Sequence, residues 1–319
     1  MTENNSTSPN PDEGEEKGSW MLVPLPQVPL DGLSWHYTGV DGLLGIISTH
    51  TLWASSPRVL NDTSELEYGA EVLAEAWANM KGGVPEPCVM FVESLIADEL
   101  LTYAMDNAFI LSTSLDGDLL SQWMHYSKSD GFAIAIDRAV PIEPVRGTQE
   151  KGSALLSGWA TVIYEREEQV KVFTDLLGAC AQTTPGNPTN WEEHKDQWPA
   201  MRGSWRFMLG SALLHMKHPA FVDEREVRYI CGRSGSPPKF RASGGRLIPY
   251  VEIARDPHPH ESRRTQPEGV PEPKTLPIKE IVCGPDVRRG TPLLVESMLS
   301  SFGYEGVEVR TSDIPYSAV

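Results

Sequence analysis

No apolar run in this 319-residue sequence approaches the roughly 20 residues that a membrane-spanning helix needs. The opening MTENNSTSPNPDEGEEKGSW has neither a basic segment nor an apolar one, which excludes the pattern of a secretory signal, so a cytoplasmic protein is expected. Cysteine is scarce. Cys88, Cys180, Cys231 and Cys283 are scattered without a CxxC pair, which argues against zinc and against a disulfide framework and leaves free thiols as the expectation. Basic residues are also in short supply: 27 Lys and Arg face 44 Asp and Glu, for a formal charge of −17. Residues 1–18 hold −4 of that charge, leaving −13 on the body. Such a field opposes general binding to phosphate backbones, so nucleic acid would need a local basic patch. Arg202/Arg206 and Arg241/Arg246 are the modest candidates for one. A small anionic ligand held by local arginines or backbone amides stays open. The sequence also lacks a Walker A loop, HExxH, GxSxG, GxGxxG and any internal repeat.

What is present is ordinary globular usage, with 40% hydrophobic and 22% charged residues. Residues 1–19 are polar and acidic and are expected to be a disordered tail. A Pro-rich connector, MLVPLPQVPL, leads into a single domain over residues 20–319, interrupted by a Pro- and charge-rich exposed loop at 255–275. LSWHYT, AFILST, GFAIAID, TVIYERE, EREVRYICG, GRLIPYVEI, KEIVCG and GVEVRTS read as strands. Helical spacing marks Asp41–Ser48, a helix opened by the capping box Ser64-x-x-Glu67, and Cys88–Met105. It also marks Leu119–Tyr126, Glu168–Cys180, Gly203–Lys217 and Leu293–Ser301, with Pro199 expected to break the chain before Arg202. Helices and strands mix without strict alternation, which predicts an α+β fold with antiparallel or mixed sheets rather than a doubly wound parallel one.

Four constellations can carry chemistry. In Trp35-His36-Tyr37-Thr38, an extended segment sends His36 and Thr38 to one face, where both can hydrogen-bond a polyol; a His satisfied in the core is the plainer alternative. In Glu224-Arg225-Glu226-Val227-Arg228-Tyr229, period two puts Glu224, Glu226 and Arg228 on one face. There Arg228 can hold one carboxylate ionised while the other orients a hydroxyl, or the three form a solvated surface pair. Asn61-Asp62 with Glu65 sits at a helix start, where a turn role suffices. Ser112, Ser114, Ser121, Gln122, Trp123, His125 and Tyr126 can wall an aromatic pocket, although Trp123 and Tyr126 also suit a core. His215 and His218 in HMKH lack a further ligand nearby, and no metal is expected.

These blocks carry a resemblance. WHYT-x4-LLGIIS-x3-LWAS-x4-LND-x2-E, FILSTS-x5-LSQWMHYS-x3-GFAIAID, F-x2-EREVRYI, RLIPYVEI, IKEIVCGP and VEVRTSDIPY follow in an order that resembles a bacterial family of domains of unknown function, DUF2971, over Leu33–Tyr316. The opening H-x-T, a helix with L-x2-I, the return segment Thr51–Ala54 and the later E-x-E also resemble, more distantly, the ADP-ribosyltransferase superfamily. That second resemblance implies a split pair of small mixed or antiparallel sheets clasping NAD as substrate, and transfer of ADP-ribose to a protein, a nucleic acid or water.

By position, the resemblance implies that His36 binds the ribose hydroxyls beside the nicotinamide and that Thr38 supports the adenosine side, with Tyr37 between them. It implies that Glu226 bonds the nicotinamide-ribose 2′-hydroxyl and that Glu224 positions or deprotonates the acceptor. Tyr126, with Trp123 behind it, is the candidate to stack on the nicotinamide; Asn61, Ser112, Ser114 and Arg228 complete the binding set. Two other readings stand beside this one. One is a non-catalytic nucleotide- or partner-binding module of the same fold. The other is a metal-dependent nuclease using Asp62, Glu65 and Glu224, which the acidic balance opposes.

Overall fold

The structure is a computed structural model, and it describes residues 25–59, 64–97, 100–127, 131–145, 157–183, 198–232, 237–243, 245–255 and 274–315. The expected tail, nearly all of the Pro-rich loop, and Asn61 with Asp62 lie outside the described residues.

Apolar residues at every second position build the strands. β1 (Leu33–Thr38), β4 (Phe132–Asp137), β10 (Ile278–Cys283) and β11 (Glu308–Thr311) form one block. β2 (Leu52–Ser55), β5 (Ile142–Pro144), β8 (Lys239–Ser243) and β9 (Arg246–Arg255) form a second. β3 (Phe109–Ser114), β6 (Gly158–Thr161) and β7 (Glu226–Cys231) form a third. All pairings are antiparallel except that of β10 with β11. The fold is therefore α+β with a mixed sheet, as the sequence predicts.

Among the described residues the blocks join into one 11-stranded sheet rather than standing as separate sheets. The joints are narrow. β3 pairs with β7 along its full length, from Phe109↔Cys231 to Ser114↔Glu226. On its other edge β3 meets β1 only at Trp35↔Ser114 and β2 only at Ser55↔Ile110. Between those two points lies a seam in the hydrogen-bond ladder, opposite Leu111 to Thr113.

The two faces are covered differently. In β4, Phe132, Ile134 and Ile136 point to one side, where they pack with Leu43, Ile46 and Ile47 of α1 (Val40–Thr49) and with Val295 and Leu299 of α8 (Thr291–Ser301). The alternate residues Ala133 and Ala135 are small and leave room for Trp35, Tyr37 and Trp123. A helical layer covers the rest of that second face: α2 (Ser64–Met80), α3 (Glu86–Ala97), α4 (Leu100–Asn107), α6 (Arg166–Thr183) and α7 (Trp198–Leu213). The short α5 (Leu120–Gln122) leads into a π-helical turn, Trp123–Ser127. No helix of the described residues is long and apolar enough to cross a membrane.

Four expectations need correction. The TVIYERE segment is a strand only to Thr161, because α6 begins at Arg166. Pro199 lies inside the first turn of α7 instead of breaking the chain; its missing N–H is one that a helix start leaves unpaired anyway. Glu224 does not belong to the strand of Glu226, as it ends a 3-10 turn (Pro219–Glu224) and Arg225 follows with φ 46 and ψ 44. The region expected as a single helix over Cys88–Met105 falls in α3 and α4.

Candidate functional site

The site is assembled where the helical layer gives way to the π-helical turn on the second face of the sheet. That turn is fixed from below. Trp123 is fully buried, meets Tyr37 edge-on with ring centroids 4.8 Å apart, and donates its Nε1–H to Asp118 Oδ1 at 2.7 Å. Asp118 also accepts from the Ser312 hydroxyl and from the Asp313 amide, which ties the last strand to this turn. The Tyr37 hydroxyl donates to the Asp116 carbonyl and accepts from the Leu119 amide. Gly117 lies against Trp35, and a Cβ there would stand 2.4 Å from the indole.

With that frame set, five charged side chains converge. Lys217, just after α7, donates from Nζ to Glu224 at 2.6 Å and to Glu226 at 2.7 Å, and stands 3.1 Å from Glu65 at the start of α2. Arg228 grips Glu226 through two parallel bonds, Nε to Oε1 and Nη2 to Oε2, both 2.9 Å. Arg228 also donates to Glu65 and to the Leu214 carbonyl. Lys217, Arg228 and Glu226 expose only 4%, 3% and 5% of their side chains. Three carboxylates therefore share two cations in a nearly dry space, leaving one formal negative charge. Ion clusters this deep persist only where nearly every donor and acceptor is paired.

The surroundings hold the cluster in place. Gln169 donates to the Lys217 and Ile163 carbonyls, and Tyr68 donates to Gln169. The Glu226 amide donates to the Tyr164 hydroxyl, and the Ser114 hydroxyl donates to the Glu224 carbonyl. Arg225 in the left-handed region turns the chain so that Glu224 and Glu226, from different elements, both reach Lys217.

The two carboxyl groups are driven apart electrostatically. Burial alone pushes Glu226 up, but Arg228 and Lys217 outweigh it and hold the carboxyl well below its ordinary range. For Glu224, burial is the largest influence and, joined by repulsion from Glu226 and Glu65, raises its pKa in spite of the Lys217 bond. Burial also pushes Tyr126 up to about 12, with the Glu224 charge adding to it. Tyr126 is 40% exposed and lies near enough to the cluster for the charges of Glu224, Lys217, Glu226 and Glu65 to act on it. His215 is buried next to this charge, and burial followed by repulsion from Arg228 lowers its pKa to about 3.

The structure thus gathers Glu224, Glu226, Arg228, Ser114 and Tyr126 of the sequence-predicted set. Tyr37 and Trp123 lie beside them, enclosed and internally bonded. His36 and Thr38 are placed elsewhere. Trp35, Ser114 and Glu226 stand in line across β1, β3 and β7, so strand alternation sends His36 and Thr38 to the opposite face. The His36 Nδ1 lies 3.1 Å from the Ser112 carbonyl, closing the seam where β3 has no ladder partner. A carbonyl only accepts, so Nδ1 carries the proton; burial lowers the ring's pKa, and its Nε2 is then a lone-pair acceptor.

Lys217, Tyr164 and the central position of Glu65 are missing from the sequence-based set. Lys217 hides between the two histidines of HMKH, where attention falls on metal ligands. Its ammonium occupies the space between Glu65 and Glu224 that a nuclease metal would need. Among the described residues no group of His, Cys, Asp or Glu is arranged to hold a metal ion. All four cysteines are buried and none forms a disulfide.

Residues 122–229 match the family described as "Protein of unknown function (DUF2971)", a narrower stretch than the Leu33–Tyr316 over which the motif order runs. The matched segment reaches from the π-helical turn to β7 and includes Tyr126, Tyr164, Lys217, Glu224, Glu226 and Arg228. No curated protein and no solved structure matches the chain.

Proposed function

We propose, for a chain that carries a DUF2971 segment whose description supplies no chemistry, an ADP-ribosyltransferase-like activity that takes NAD as substrate at the Glu224–Glu226–Lys217 cluster. The observation that carries this reading is the convergence of two carboxylates on one ammonium, one locked by Arg228 and the other held by Lys217 alone. Carboxyl groups whose environments separate their pKa values are a recurring acid–base arrangement. Ser112 and Ser114 of β3 stand on the same face as Arg228 and Glu226 of β7, which supports the same reading.

In this account the bond between the ribose C1′ and the nicotinamide nitrogen breaks, and its electron pair leaves with nicotinamide. The sugar becomes cationic, and the fixed Glu226 carboxylate stabilises it. Three protein bonds occupy Glu226, so about one of its roughly four acceptor sites stays open for a ribose hydroxyl. An acceptor hydroxyl, amine or water attacks C1′ and loses its proton to Glu224. Tyr126 stacks on the nicotinamide. Ser112, on the same sheet face as Glu226, completes the proposed NAD contacts, with Tyr37, Ser114 and Trp123 placing the turn that carries Tyr126.

Release of nicotinamide from NAD is the test. Glu226→Gln and Glu224→Gln are each expected to cut release by about a hundredfold or more while retaining the fold by circular dichroism. Undiminished turnover in both variants would sink the assignment. A second reading, a nucleotide- or partner-binding module without turnover, is favoured by the bidentate Arg228 grip, which satisfies Glu226 without any substrate. NAD binding without release, indifferent to Glu226→Gln, would establish that reading instead.

A further inference from the structure

The hairpin formed by β8 and β9 carries Lys239, Arg241 and Arg246, and residues 237–251 contain no acidic residue, in a chain whose net charge is −17. Lys239 reaches Glu252 at 2.7 Å. Arg241 has no such partner. It donates from Nη2 to the Ser55 hydroxyl at 3.3 Å, and its guanidinium lies 5.8 Å from the centre of the Trp53 ring, which stacks on Tyr250 at 4.7 Å. Its Nε–H is buried with no acceptor, and no carboxylate of the described residues pairs with it. Burial lowers its pKa from the ordinary arginine value, so the cation is partly stripped of water without compensation.

Strand register says where this arginine faces. Arg241 opposes Ile248, two residues before Tyr250; Tyr250 opposes Ser55, and Ser55 opposes Ile110 on β3. Arg241, Trp53 and Ser55 therefore share the face of Ser112 and Arg228, beside the seam that the His36 ring closes. A half-buried, forked donor held by an aromatic ring and a hydroxyl, with one donor idle, suits a phosphate oxygen pair.

We propose that Arg241, with Ser55 and the seam at His36, forms a subsite for the phosphate or diphosphate group of a small phosphate ester. The chain's charge disfavours a polyanion, so the ligand is a small molecule rather than nucleic acid. The inference does not require glycosyl transfer at Glu226.

Inorganic pyrophosphate, ribose 5-phosphate and ADP-ribose, with ribose as the uncharged control, are titrated into the full chain by calorimetry and thermal shift. The phosphate compounds are expected to bind and ribose is not. Arg241→Met should weaken that binding by about tenfold or more, and Arg241→Lys by less, because the charge remains but the fork is lost. Without ligand, Arg241→Met should melt at the same temperature as the wild type or higher, since it removes an uncompensated cation. Pyrophosphate binding alone would assign the contact to the phosphates, and binding of ADP-ribose alone would place the subsite within a larger ligand. Equal binding by Arg241→Met, no binding of any phosphate compound, or a ligand-free destabilisation that accompanies unchanged affinity would each overturn the proposal. So would tighter, steeply salt-dependent binding of a short single-stranded DNA.

Discussion

Lys217 and Arg241 are both withdrawn from water on the same face of one sheet, but their surroundings differ in kind. Lys217 is ringed by Glu65, Glu224 and Glu226, while Arg241 meets a hydroxyl and an indole and no carboxylate among the described residues. Around Lys217, the carboxylates override burial and raise its pKa; around Arg241, burial prevails and lowers it. A buried charge that the protein neutralises itself can serve as a fixed electrostatic frame. One left without a counter-charge is a place for a ligand to supply it. The same distinction separates Glu226, held ionised by Arg228, from Glu224, whose ionisation is opposed.

Removing each cation breaks the comparison most sharply. Lys217→Met leaves three carboxylates to one arginine and is expected to destabilise the fold by about 3–5 kcal/mol, read from urea unfolding. Arg241→Met is expected to cost nothing. Equal losses for the two would erase the contrast. Next in size is the turn at Arg225, where a β-branched side chain suits the left-handed conformation poorly. Arg225→Val should cost about 1–3 kcal/mol, and Arg225→Gly should be nearly neutral in the same assay.

Acid should also separate the groups. His215, held near 3 when folded against about 6.5 unfolded, takes up protons preferentially in the unfolded state. Its contribution to stability is complete above about pH 6.5 and is lost at up to about 1.4 kcal/mol per pH unit as pH falls towards its folded value. Glu226 behaves likewise at lower pH: its contribution is present above the ordinary carboxylate value of about 4.3 and lost below it. Glu224, raised in the fold, works in the opposite sense and regains stability as pH falls through its folded value. His215→Gln should flatten the first part of the acid limb in urea midpoints measured from neutral to mildly acidic pH. An unchanged slope would remove His215 as its source. The smallest effect is expected at the surface: Lys171→Ala breaks an exposed helical pair with Asp175 and should leave the urea midpoint essentially unchanged.

Much of this fold was legible because its elements obey simple periods. GFAIAID alternates large and small residues, and the structure gives each set its own face. Leu66, Leu73 and Trp77 mark the buried side of α2 as their spacing predicts. Glu226 and Arg228 were legible as alternate residues sharing one face of a strand. What stayed hidden depends on contacts distant in sequence. Lys217 has no local signal, since its partners come from α2, a 3-10 turn and β7. The period-two rule placed Glu224 on β7 because it cannot register that Arg225 leaves the extended region. The separation of His36 from Glu226 follows from the single pairing Trp35↔Ser114, which no local pattern encodes.

In the proposed reaction Glu224 and Glu226 form a working pair in which only Glu224 exchanges a proton. The most direct measurement is the pH dependence of kcat/KM for nicotinamide release from NAD, in wild type and in Glu224→Gln. The wild type should show an ascending limb with a midpoint above the ordinary carboxylate value of about 4.3, absent from the variant. NAD that binds but releases no nicotinamide at any pH, or an identical limb in both proteins, would contradict it.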